Sequence, residues 1–139
     1  MKPTDYQIFI SHSGLDTWVA KQIEAHARNA GASTFLDDSD IDVGDDFEAI
    51  ILKELQKSEE LLVLFTPWSL KRPYVWMEIG AAWGLQKRII FVLHGTKPED
   101  LSAEGSIPAL VKKSNLITLN QLDRYFAELK ERLNTEEVE

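Results

Sequence analysis

Five short runs rich in β-branched and aromatic residues recur along the chain with helical patterns between them. That alternation constrains the fold more than any other feature. The runs are YQIFIS (6–11), STFLD (33–37), ELLVLFT (60–66), RIIFVL (88–93) and NLITL (115–119). Three are almost continuously apolar, as strands covered on both faces must be. Between them, residues 16–30 place Val19, Ile23, Ala27 and Ala30 on one stripe, and Gly31 follows as a stop signal. Residues 46–57 carry Phe47, Ile50, Ile51 and Leu55 at helical spacing, and residues 71–86 form a third pattern. A weaker pattern covers 107–113, after an expected loop at 94–106 marked by Gly95, Pro98 and Gly105. The last helix is expected at about 121–133, leaving a frayed acidic tail at 135–139.

Strand–helix alternation of this kind predicts an α/β, flavodoxin-like three-layer fold with a five-stranded parallel sheet. Right-handed crossovers and the common doubly wound order give 2-1-3-4-5. Residues 1–134 read as one domain, with no repeat and no low-complexity tract. In open sheets of this order a ligand sits beyond the carboxyl ends of the strands where the order switches, here between strands 1 and 3. SHSGLD (11–16) and TPWSLKRPYVWME (66–78) flank that crevice, and DDSDIDVGDD (37–46) lies on the same rim.

Composition narrows the chemistry. With 44% hydrophobic residues the chain can bury a core, and without cysteine it makes no disulfide or thiolate metal site. No apolar run approaches the ~20 residues of a membrane helix, and the N-terminus lacks a basic-then-apolar leader. A cytoplasmic domain without membrane contact is expected. The net charge of −8, with scattered bases, disfavours nucleic acid as a partner. An acidic chain can still hold an anionic small molecule through backbone N–H groups.

Glu78 is the lone acid within PYVWMEIGAAWGL (73–85). Residues four apart share a helix face, so Tyr74, Glu78 and Ala82 line up toward the crevice. Trp76, Ile79, Gly80 and Trp83 then point to the sheet, with Gly80 and two alanines allowing close packing. The bland alternative is a solvated glutamate; the residues alone leave both readings open. Ser13-x-x-Asp16 resembles a helix-capping arrangement, and the hydroxyls of Ser11 and Ser13 could equally meet a ligand phosphate or ribose. His12 has no partner spacing for a metal and reads as a ligand contact or bystander rather than a base. The acidic loop has Val43 and Ala49 where a calcium loop starting at Asp38 needs Gly and Glu. It reads as solvated, with Asp45 or Asp46 at the next helix N-terminus and Gly44 in a tight backbone conformation. No metal site is expected. Phosphate-binding and dinucleotide glycine motifs are absent. So are the acids of a phosphoacceptor receiver and a nucleophile elbow.

Taken in order, YQIFISHSGLD, TFLDDSDIDVGDDFEAII and SEELLVLFTPWSLKRPYVWMEIGAAWGLQKRIIFVL resemble the Toll/interleukin-1 receptor (TIR) domain in its bacterial form, over about residues 5–120. One branch of that family associates as a scaffold. The other cleaves NAD⁺ to nicotinamide and ADP-ribose or a cyclic isomer. The resemblance implies NAD⁺ as substrate with no further cofactor, and a role in bacterial immune, antiviral or stress signalling. Glu78 matches the family's catalytic glutamate, which would hold the ribose hydroxyls and stabilise an oxocarbenium-like state. Tyr74 stands where the enzymes often have a stacking tryptophan. Ser11, His12, Ser13, Asp37 and Asp42 match positions around the pocket. Basic residues found after strand 1 in some animal members are replaced by Ser13 and Gly14. The resemblance further implies activation by head-to-tail, filament-forming assembly through the loop at 38–47, where Ile41, Val43 and Gly44 would dock on the next copy. The alternatives are a non-catalytic TIR–TIR interaction module, or a nucleoside-processing enzyme of similar fold, whose usual motifs are not apparent.

Overall fold

A computed structural model of the chain describes residues 6–36, 44, 46–103 and 116–138, of which 101–103 and 135–138 as backbone only. The strands are β1 (Gln7–Ser11), β2 (Ser33–Leu36), β3 (Glu60–Phe65), β4 (Arg88–Leu93) and β5 (Ile117–Thr118). All pairings are parallel, and the order is β2-β1-β3-β4-β5. The helices are α1 (Thr17–Asn29), α2 (Phe47–Lys57), α3 (Pro73–Gly84), α4 (Pro98–Ala103) and α5 (Leu122–Val138).

Side-chain parity along the strands divides the core into two layers. Ile8, Ile10, Leu62, Leu64 and Val92 meet α1 and α5 through Ile23, Ala27, Tyr125 and Leu129. Phe9, Phe35, Leu61, Val63, Phe65 and Phe91 meet α2 and α3 through Ile51, Leu55, Val75 and Ile79. Phe65 and Phe91 stack on this second face with centroids 5.4 Å apart, and Phe9 leans on Phe35 at 5.1 Å. Because β1 and β3 are buried along their whole length, their sequences are apolar runs rather than alternating ones.

The same parity fixes where the polar strand ends point. Ser11 follows Phe9 by two residues and therefore faces α3. Glu60 precedes Leu62 by two and faces α5. Gly31, at φ 109°, ends the α1 segment in the left-handed region that favours glycine. Gly44 likewise sits at φ 93°, the tight conformation expected of it.

Three expectations change. Residues 98–103, expected as loop, form α4: Pro98 punctuates the chain as the first residue of a helix, where its missing N–H costs nothing. Asp100 also accepts from the Lys97 amide at 2.8 Å. The last helix continues to Val138, so the tail expected to fray is helical through that residue; no Gly or Pro interrupts it. The buried stripe of α3 is Val75, Glu78, Ile79 and Ala82; of the four residues expected to face the sheet, Ile79 is buried and Trp76 packs on Phe65, whereas Gly80 and Trp83 are exposed. Trp83 is 63% exposed, and a Cβ on Gly80 would meet nothing within 4 Å. Each residue turns the helix by about 100°, so the choice of sheet-facing stripe rotates every other assignment with it. The weak helical pattern at 107–113 lies outside the described residues.

Candidate functional site

Rotation of α3 puts its single acid against the sheet. Glu78 belongs to the buried stripe and is 0% exposed. Ser11, the last residue of β1 and also 0% exposed, donates from Oγ to Glu78 Oε1 at 2.5 Å. A carboxylate buried on an otherwise apolar helix face is costly unless it is hydrogen-bonded. Here the donor comes from the strand at which the sheet order switches. Glu78 and Ser11 therefore meet where topology predicts a ligand.

Both lips of the crevice are tied together beside this pair. Ser13 Oγ accepts from the Leu15 amide at 3.3 Å, capping the short 3-10 turn Gly14–Asp16. Asp16 does not cap α1. It is buried, and Thr66, just beyond β3, donates from Oγ1 to Asp16 Oδ2 at 2.7 Å. Thr66 and Ser69 cap one another reciprocally. The Thr66 amide donates to Ser69 Oγ at 2.8 Å, and the Ser69 amide donates to Thr66 Oγ1 at 3.1 Å. Arg72, the residue before α3, donates from Nη1 to the carbonyl oxygen of His12. Trp76 is half-buried, packs on Phe65 and donates from its indole N–H to the Leu70 carbonyl at 2.9 Å.

The other expected site residues separate into three groups. Ser13 is buried at the crevice beside Ser11. His12 is fully buried, with Nδ1 3.3 Å from the Ile10 carbonyl oxygen. Tyr74 packs on α2. Its ring meets Phe47 edge-on at 5.2 Å and its hydroxyl donates to Glu48 Oε1 at 3.3 Å, both on the first turn of α2. Asp37, Ile41, Asp42 and Val43 lie outside the described residues. Asp46 caps α2 by accepting from the Ala49 amide at 3.2 Å. Thr66, Ser69 and Arg72 are crevice residues that the sequence reading missed. The T-x-x-S spacing was visible as a capping signal; the reach of Arg72 to β1 was not.

A second buried carboxylate lies at the opposite end of the sheet. Glu60 is 0% exposed, and Tyr6 donates to its Oε2 at 2.9 Å. Tyr125 donates to Oε1, and Arg132 donates from Nη2 to Oε2 at 3.1 Å. Burial first, then the charge and hydrogen bond of Glu60, push the Tyr6 hydroxyl up to about 12 and raise Tyr125 well above the usual phenol range. Its hydrogen-bond partners come from the segment before β1 and from α5, with Arg88 of β4 3.9 Å from Oε2, and so this cluster fastens α5 to the sheet. Among the described residues no group of three His, Asp or Glu is placed to hold a metal ion. No helix among them is long and apolar enough to cross a membrane.

Residues 8–133 match the family described as TIR domain. Solved structures share the fold. The TIR domain of the Toll-related receptor TRR-2 from Hydra magnipapillata is similar with a TM-score of 0.68 at 17% identity, covering 94% of this chain and 99% of that one. A TIR-STING receptor from C. gigas in complex with 2′,3′-cGAMP gives 0.72 at 19% identity over 94% of this chain, which spans 41% of the receptor chain. The TIR domains of the activated Roq1 resistosome give 0.63 at 17% identity, covering 93% and 84%. No curated protein matches.

Proposed function

The chain belongs to the TIR domain family, and on that premise we propose that it is an NAD⁺ nucleosidase activated by assembly, acting in immune or stress signalling in a bacterial cytoplasm. The observation that supports this reading is the Glu78 carboxylate, held by Ser11 at the switch point of the sheet. In the reaction the bond between ribose C1′ and the pyridinium nitrogen breaks, and its electron pair leaves with nicotinamide, which becomes neutral. C1′ is left electron-poor. Glu78 accepts hydrogen bonds from the ribose hydroxyls and faces the growing positive charge, whose stabilisation is strong where water is excluded. Water then attacks C1′ and loses a proton, giving ADP-ribose; attack by an adenine nitrogen gives a cyclic isomer instead. No metal or organic cofactor enters these steps.

Glu78 has no exposed surface in the isolated chain. Substrate contact therefore requires the crevice rim to part, which suits an activity gated by head-to-tail contact of one copy's 38–47 loop with the next copy. Nicotinamide release from NAD⁺ tests the reading, followed at high protein concentration with and without a fused oligomeriser. Release is expected to rise on assembly, and Glu78→Gln should lower kcat by about 10²-fold or more. Release that persists in Glu78→Gln would remove Glu78 from the mechanism.

The same burial favours a second reading, a non-catalytic association module in which Ser11–Glu78 is an internal tie. Exposed Leu15 and Trp18, beside an apolar groove of about 290 Å³ between α1 and α5, supply contact surface for it. Self-association without nicotinamide release under any condition would select this reading.

A further inference from the structure

Arg72 stands where a helix is least suited to hold it. It occupies the position before the first turn of α3, where Ser, Thr, Asp or Asn would cap the helix and where a cation meets the positive end of the macrodipole. The first turn contains no acid to offset it. Residues that break a local rule in this way are expected at functional positions. The Arg72 side chain instead crosses the crevice and donates to the His12 carbonyl, one residue past Ser11. Its guanidinium is thus seated on the β1 lip while its backbone belongs to the α3 lip.

We infer that Arg72 is the residue that takes the diphosphate of a dinucleotide substrate. The inference rests on the NAD⁺-cleaving reading of the same crevice. Glu78 and the buried Asp16 make the crevice acidic, and the chain as a whole carries −8. Two phosphates entering there need a cation. A guanidinium matches phosphate oxygens with a planar fork of five donors. The placement fits the substrate. The Arg72 guanidinium rests on the His12 carbonyl, one residue from the Ser11 hydroxyl that holds Glu78, so cation and carboxylate are anchored on adjacent residues of the β1 lip. A ribose whose 2′ and 3′ hydroxyls meet Glu78 directs its 5′ oxygen, and the diphosphate attached there, away from that residue.

The test compares two substrates that share the bond to be broken. NAD⁺ carries the diphosphate; nicotinamide riboside carries no phosphate. Arg72→Gln is expected to raise KM for NAD⁺ by about tenfold, the worth of one charge-assisted contact, while KM for nicotinamide riboside changes less than twofold. Arg72→Lys should lie between wild type and Arg72→Gln, because it keeps the charge and loses the fork. An equal change for both substrates, or none for NAD⁺, overturns the inference and leaves the NAD⁺ reading intact. If the assembled wild type cleaves neither substrate, the NAD⁺ reading fails. Calorimetric binding of ADP and adenosine then decides the role of Arg72. A loss in Arg72→Gln confined to ADP supports it, and equal binding of ADP by both proteins overturns it.

Discussion

Ser11 and Glu78, 67 residues apart in sequence, share a 2.5 Å hydrogen bond in which neither side chain reaches solvent. This bond ties α3 to the end of β1. It also means that any ligand reaching Glu78 competes with the Ser11 hydroxyl.

Ser11→Ala removes a hydrogen-bond donor to a buried carboxylate. The expected loss is about 1–3 kcal/mol of stability, read as a lower urea midpoint with an unchanged slope. A double-mutant cycle with Glu78→Ala should return most of that loss as coupling between the two sites. Additive effects would mean that the bond contributes nothing.

Glu60→Gln should be the more damaging change. It removes the charge opposite Arg132 and rearranges acceptors for two tyrosine hydroxyls around a carboxylate that is itself unexposed. Breaking a buried charge pair costs about 3–5 kcal/mol, whereas Tyr125→Phe should cost about 1–2 kcal/mol. Denaturant unfolding separates the two, and a Glu60→Gln protein as stable as wild type would show that the cluster does not fasten α5.

Alkaline pH should loosen the same cluster. The Tyr6 hydroxyl titrates near 12 in the folded chain, against about 10 when unfolded. A group raised on folding contributes its stability in full below the unfolded value and loses it as pH rises through the folded one. Stability should therefore hold to about pH 10 and fall between 10 and 12, by up to about 3 kcal/mol from Tyr6. Tyr125 shifts in the same direction. Tyr6→Phe should flatten part of the decline, and unfolding curves at intervals from pH 9 to 11.5 check this.

Gly80→Ala should stabilise. The position lies inside α3, faces solvent, and offers a new Cβ open space. Helix propensity alone predicts a gain of about 1 kcal/mol, read as a higher Tm. A loss would place an unseen neighbour against that face.

The sequence made the sheet legible because strands buried on both faces leave no choice but continuous apolar runs, and order 2-1-3-4-5 followed from the alternation. Glu78 could be singled out and given a crevice. The face of α3 could not be chosen, because Trp76, Ile79, Ala82 and Trp83 are all apolar and the i, i+4 rule is blind to rotation. Tyr74 shares a helix face with Glu78 by spacing, but its contacts with Glu48 and Phe47 are tertiary and leave no mark on that spacing. Glu60 was visible only as an acid opening a buried strand. Its partners Tyr6 and Tyr125 lie 54 and 65 residues away, and no local spacing connects them. Arg72 could be read only as half of a basic pair with Lys71, because a helix-start rule describes what should stand there, not where a long side chain travels.

The two buried carboxylates occupy opposite ends and opposite faces of one sheet. Glu78 pins the α3 layer at the carboxyl edge; Glu60 pins α5 at the amino edge. Neither pin shares a partner with the other. Prising Ser11 from Glu78 therefore loads one layer and leaves the other seated, so the α1–α5 side serves as a fixed abutment against which the crevice can work.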